Sequence, residues 1–271
     1  MEYDEKKPTA GSIAVKIFAW CGLIFLIGPL FVIVPVSFSS AKYLTFPPPG
    51  FSLRWYEKFF SSSIWIDSIF VSLQVAVFSS ILTMLLAVLA SIPLVRSEFR
   101  GKILVYSLLL APMIVPLIVT AIAIYFLFAS IGLSGTILAM SIGHAVVVMP
   151  IVVIIVSATL QGFDIRIEQA AISLGAGPVE AFFRVTLPLT LPGILSGGAF
   201  AFLTSFDELM IPLFLGGPET VTLAVRIWHS VVLEIEPTIA AASTFLIGLA
   251  LFILILTTLL MSRLKKLSIA V

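Results

Sequence analysis

Two adjacent carboxylates, Asp207 and Glu208, sit inside an otherwise apolar stretch running from 191 to 215. An acidic side chain at the centre of a bilayer costs about 2.5–3.5 kcal/mol, so in such a stretch it faces a polar cavity or a partner group. Two chemistries fit. The pair could attract a cationic solute along a path, or it could make a structural ion pair or hydrogen bond with a neighbouring chain. From Leu191 the helical rise to Asp207 is about 24 Å, which places the pair in the outer part of the membrane. Neighbouring helical residues point about 100° apart, so one of the two, Asp207 before Glu208, is expected to face a path.

The other reactive residues offer less. Gly132-Leu133-Ser134-Gly135 is a Gly-x-Ser-Gly string, and an intramembrane serine protease would need a base within hydrogen-bond reach of that serine. His144 lies about 15 Å further along a rising helix and is expected to be a hydrogen-bonded interior residue instead. Cys21 is the single cysteine, so neither a disulfide framework nor a cysteine metal site is available. No catalytic residue and no metal ligand set is expected. Without a G-x-x-x-x-G-K-[ST] loop the chain does not bind and split ATP in the P-loop manner, and ATP-driven work would need a separate subunit. Pro112 and Pro116 should kink the helix that carries them, either to gate a path or to suit packing. Gly193, Gly197 and Gly198 read as a close helix-packing face. Trp55, Tyr56, Phe59 and Phe60 could touch an external protein, although an interfacial aromatic belt is the simpler reading.

The elements that carry these residues are dictated by composition. Of 271 residues 60% are hydrophobic and 11% charged, the mean hydropathy is +1.21 and the net charge is +1. A soluble domain holds about 45–50% apolar and about 25% charged residues. The excess must face lipid, which excludes a soluble enzyme, a nucleic-acid binder and a disordered chain. Six runs are long enough to cross, at about 13–38, 67–92, 102–129, 136–157, 191–215 and 238–261. They are unbroken rather than alternating, which predicts helices and not a barrel. The first follows a mixed-charge head and lacks a small-residue cleavage site, so it is expected to be retained. Lys42, Arg54, Lys58 and Arg226 fall on one side of the resulting topology, and the other eleven of the 15 basic residues on the opposite side, including Lys6, Lys7, Lys265 and Lys266. The basic side is expected to be cytoplasmic, together with both termini.

A long basic-side loop, about 158–190, is the most structured connection. Asp164 is a good N-cap, Glu168 stands in the first turn, and Gly175 suits the position past a helix end. Gly177-Pro178 opens a second short helix, which Leu187-Pro188 should end before the fifth span. Ala170, Ala171 and Gly175 leave a smooth patch for close approach, and a docking surface and a plain connector both remain open.

The string Gln169-Ala170-Ala171-x3-Gly175-x9-Val185-x-Leu187-Pro188 resembles the EAA loop of bacterial ABC importer permeases, E-A-A-x3-G-x9-I-x-L-P. The spacing matches throughout, with Gln169 for the Glu, Glu168 just before it, and Val185 for Ile. The segment Phe46-Pro47-Pro48-Pro49-Gly50-Phe51 to Tyr56, the tetrapeptide Ser205-Phe206-Asp207-Glu208 and Glu236-Pro237-Thr238-Ile239-Ala240-Ala241 are similar to spermidine/putrescine-type permeases, the second permease subunit above all. Opine and amino-acid-derivative importers share much of this pattern.

The resemblance implies an all-α membrane protein with six transmembrane helices in the type I ABC importer permease fold. Residues 1–12 and 262–271 would be cytoplasmic segments around a permease domain at 13–261. It implies a non-enzymatic inner-membrane transport subunit that forms half of a translocation path for polyamines or a related organic solute. Ser205, Phe206, Asp207 and Glu208 would belong to the path, Pro112 and Pro116 to its gating. Glu168, Gln169, Ala170, Ala171, Gly175, Leu187 and Pro188 would couple it to an ATPase. The implied partners are a homologous first permease, two ATP-binding subunits holding ATP and Mg, and a soluble substrate-binding protein. A self-sufficient secondary transporter would show repeats and midplane ionisable groups, which this sequence lacks.

Overall fold

The computed structural model describes residues 10–233 and 236–269. Lys6, Lys7 and most of the expected 1–12 segment lie outside the described residues, as do the last two residues of the 262–271 tail. The described chain is helical, with one isolated antiparallel bridge between Ser39 and Phe51. It divides into two compact units, one formed by the segment up to Ser61 with Ser230–Phe245, the other by Ser62–His229 with the segment from Leu246.

In the first unit α1 (Ala10–Ser37) leads to a short helix α2 (Arg54–Ser61). The connection folds on itself through Ser40 N–H to Gly50 O at 2.9 Å and Arg54 Nη2 to Ala41 O at 2.6 Å. Trp55 and Phe59 are buried, and Tyr56 shares a 2.7 Å hydrogen bond with Ser37. The aromatic belt expected here is therefore half wrong. Trp55 and Phe59 pin α2 in place, and of the four only Phe60 is exposed. Lys58 pairs with Glu236 in the same unit.

The second unit is a bundle of α3 (Ser63–Arg96), α4 (Lys102–Ile114), α5 (Leu117–Ser130), α6 (Ile137–Gln161), α7 (Ile165–Ser173), α8 (Pro178–Ala181), α9 (Leu187–Asp207) and α10 (Met210–Leu215). α11 (Leu223–Leu233) and α12 (Thr238–Ile269) follow. Helices in lipid associate by close packing and hydrogen bonding rather than by hydrophobic collapse, so small and hydroxyl residues mark their contacts. α3 buries Ser68, Ser72, Ser79, Thr83, Ala87 and Ser91. Ser91 and Ser157 of α6 are hydrogen-bonded at 3.1 Å. Around them Val152, Val153, Val156 and Ala201 close the α3–α6–α9 core. A second core gathers Val75, Ala121, Met140, Ile211 and Leu215. The glycine face of α9 packs as expected, with Gly197 against Val152 and Ile155, and Gly198 against Met84.

Two of the expected spans are not simple rods. The 102–129 run breaks between α4 and α5 with a bend of 105°. Pro112 stays inside α4, whereas Val115 is extended at φ −74°, ψ 134°, because the ring of Pro116 disfavours the helical conformation before it. Among the described residues five helices are long enough to cross a membrane, and this bent pair is the sixth candidate. The 191–215 run is broken after Asp207, where Glu208 is extended at φ −69°, ψ 129°. Conversely, Leu187-Pro188 does not end a helix. A π-helical turn at Phe182–Thr186 joins α8 to α9, and the Leu187 N–H reaches back to Phe182 O. The looser i→i−5 turn takes up the proline ring and its missing donor, so the helix runs unbroken from Pro178 to Asp207.

At Gly193 a Cβ would overlap the Thr159 side chain. G193A should lower the melting temperature of the detergent-purified protein, by overpacking worth about 1–3 kcal/mol. Adding T159A should recover most of the loss, and equal melting of G193A and the unaltered chain would disprove the close contact.

Candidate functional site

Two places in the second unit combine polar chemistry with unusual backbone, the break at Asp207–Glu208 and the loop that carries α7.

A helix that ends inside hydrocarbon leaves carbonyls behind it, and the helix that restarts leaves N–H groups ahead. Glu208 answers the second need. Its Oε1 accepts the Met210 N–H at 2.9 Å and its Oε2 the Ile211 N–H at 2.8 Å, placing a carboxylate at the start of α10. Glu208 is buried. Beneath it His144 is fully buried, its Nδ1 hydrogen-bonded to Ser205 Oγ at 2.7 Å and its Nε2 3.7 Å from Glu208 Oε2. This confirms His144 as a hydrogen-bonded interior residue. Serine, histidine and glutamate meet here, but Ser205 is 2% exposed and has no open face for a substrate carbonyl, so the cluster locks the break rather than performing acyl transfer.

The break separates the two carboxylates. Glu208 turns inward, while Asp207 is exposed. Asp207 lines a cleft of about 260 Å³ with Leu203, Phe206, Leu246 and Ala250. It also lines a wider one of about 510 Å³ with Leu117, Thr204 and Met210, which the buried Glu208 borders as well. Phe206 is buried and stacks on Phe202 at 5.8 Å between centroids. The expected 100° offset along one helix is replaced by a change of backbone direction at Glu208. A signal for it stood in the sequence: in a continuous helix the ring of Pro212 would clash with the Glu208 carbonyl four residues back.

In the loop the sequence-predicted caps are present. Asp164 Oδ1 accepts the Arg166 N–H at 3.0 Å. At the other end Gly175 has φ +101°, with Gly175 N–H to Ile172 O at 3.0 Å and Ala176 N–H to Ala171 O at 3.1 Å. These paired bonds close the helix in a Schellman motif, and the left-handed residue at its end favours glycine. Gln169 and Ala170 are exposed and Ala171 half-buried, flanked by Leu174 at 90% and Val179 at 71% exposure. Pro188 is exposed and Leu187 half-buried.

Glu168 points the other way. It is buried and forms a two-pronged ion pair with Arg96 at the end of α3, Nη1 to Oε1 at 2.8 Å and Nη2 to Oε2 at 2.7 Å. The buried Thr186 hydroxyl of the π turn donates to the same carboxylate. Of the adjacent polar pair, Gln169 is therefore the residue left on the outer face. Sequence reading did not single out Arg96 or Thr186, and their distance along the chain gave no signal.

Residues 83–266 match the family described as "Binding-protein-dependent transport system inner membrane component". The chain is 31% identical over 252 residues to the putrescine transport system permease protein PotI of Escherichia coli (strain K12), covering 90% of this chain and 89% of that one. It is 32% identical over 236 residues to the spermidine/putrescine transport system permease protein PotC of Haemophilus influenzae, covering 87% and 91%. Among solved structures it superposes on a chain of a bacterial alginate ABC transporter in complex with an alginate pentasaccharide-bound periplasmic protein. There the TM-score is 0.71 at 17% identity, covering 94% of each chain.

E208A removes the acceptor for two N–H groups and should destabilise the purified protein by about 1–3 kcal/mol, seen as a lower melting temperature. E208Q, which keeps one carbonyl acceptor, should lose less. Unchanged melting of E208A would show that the carboxylate does not hold α10.

Proposed function

The chain belongs to the family of binding-protein-dependent transport system inner membrane components, and from that premise we propose that it forms half of the translocation path of an ATP-driven importer for polyamines. The observation that carries the cationic substrate is Asp207. It is the carboxylate of the break left exposed in a cleft, while both oxygens of Glu208 are committed to backbone N–H groups. A carboxylate in an apolar-walled cleft attracts ammonium groups strongly, because little water competes for it. The names of the relatives PotI and PotC support the same solute class.

In this reading the basic side of the topology is cytoplasmic, with both termini and the segments 1–12 and 262–271 on that side of a permease domain at 13–261. The partners are a homologous first permease, two ATP-binding subunits and a soluble substrate-binding protein on the far side. The chain does no covalent chemistry and holds no cofactor; ATP and Mg are bound by the ATPase. The outward face of α7, with Gln169, Ala170, Ala171 and the Gly175 turn, docks on the ATPase, its small side chains allowing close approach. Leu187 and Pro188 carry the motion into α9, and Glu168 acts from the inner side. Ser205 and Phe206 shape the path by packing behind Asp207, and the bend that Pro116 imposes after the Pro112 turn is its moving gate.

The test is uptake of labelled putrescine and spermidine by proteoliposomes containing the complete complex and its binding protein. Saturable, ATP-dependent uptake is expected. Hydrolysis stimulated by the binding protein without polyamine uptake would move the substrate to another organic solute, such as an opine or amino-acid derivative. No association with an ATPase would overturn the importer reading. In the same assay D207N should lower uptake about tenfold, and an unchanged rate would remove Asp207 from the path. A171W should abolish uptake while the protein stays in the membrane, since an indole on this face keeps the ATPase at a distance. Loss of A171W from the membrane would make Ala171 structural.

A further inference from the structure

Glu168 is oriented opposite to what a docking residue requires, and its partners explain why. The carboxylate is held by both guanidinium nitrogens of Arg96 and by Thr186. Arg96 Nη2 lies 3.4 Å from the Thr186 hydroxyl, and its guanidinium carbon lies 6.0 Å from the Phe182 ring centre. Three elements therefore meet at one buried ion pair: the end of α3, the first turn of α7 and the π turn that leads into α9. A two-pronged arginine–carboxylate pair fixes orientation as well as distance, which a lysine cannot do.

The far end of α3 is fastened too. Ser72 Oγ accepts the Leu223 N–H at 2.8 Å, and Arg226 Nε donates to Ser68 Oγ at 3.4 Å. Both fastenings lie on one helix of 34 residues, and about 40 Å of it separates them. Pro93, its one internal proline, lies in the last turn beside Arg96.

We propose that Arg96 is a positioning residue for transport, fastening the loop helix to α3 so that its displacement reaches the opposite end of the protein directly. The inference rests on the importer reading above for its activity test. α7 then has two outlets, α9 through the π turn and α3 through Arg96. The second bypasses the π turn, the more deformable of the two. Signals run both ways along it: a binding protein seated outside is felt at α7, and closure of the ATPase is felt outside.

The experiment uses the complete complex in proteoliposomes, with hydrolysis measured with and without putrescine-loaded binding protein, and uptake measured alongside. R96Q should lower uptake about tenfold and abolish the stimulation, with basal hydrolysis within about twofold of the unaltered complex. R96K, which keeps the charge without the fork, should fall between. The exchanged pair R96E/E168R should restore stimulation. The fastening is also read without any substrate, from the distance distribution between spin labels on the exposed positions of R166C and E98C, with Cys21 replaced. The distribution should be narrow in the unaltered background and broad in R96Q. If putrescine proves not to be the solute, this readout still decides the inference while the polyamine reading fails. Unchanged stimulation together with an unchanged distribution in R96Q would overturn it. So would failure of R96Q, R96K and the exchanged pair to assemble, because the pair would then serve folding alone.

Discussion

A backbone N–H or C=O that leaves a helix within hydrocarbon finds no water to replace its lost partner, and each such group costs several kcal/mol if left bare. Three irregularities of this bundle answer that constraint. At Val115–Pro116 the chain turns sharply at a residue that has no N–H to lose. At Glu208 the turn exposes true donors, and a buried carboxylate meets two of them. At Pro188 the helix avoids a break altogether by widening into a π turn one step earlier. The two breaks and the π turn are thus local solutions to a single problem.

Three acidic residues of the two sites differ in how their charge is used. Glu208 is neutralised by backbone dipoles and stands against His144, Glu168 is neutralised by a guanidinium, and Asp207 faces open clefts. Removing one member of a buried pair such as Arg96–Glu168 typically costs about 3–5 kcal/mol, because the other charge is left stranded. Asp207 forms no such ion pair among the described residues.

Much of this was legible in the sequence, and the exceptions share a cause. Asp164 and Gly175 announced the ends of α7 because caps depend on residues a few positions apart. The α9 glycines announced a packing face for the same reason. The direction of Glu168 was not legible, because its partner is 72 residues away, nor was the His144–Ser205 bond across 61. Pro188 misled because a proline usually ends a helix, and only tertiary packing stabilises the π turn that absorbs it. Pro212 was overlooked because an apolar run reads as one span unless the carbonyl four residues before each proline is checked.

A helix of nine residues is marginal in water by itself. α7 therefore cannot act as a lever through its own stiffness, and any force on it passes through whatever fastens it to the bundle. The Schellman turn fastens it only to itself. α8 and the π turn continue into α9, but through four residues of helix and a widened turn. The Arg96–Glu168 pair is short, two-pronged, largely buried and attached to the longest helix among the described residues. Stiffness in series is limited by the softest member, and on that ground α3, rather than α9, is the stiffer route between the loop and the far side of the membrane.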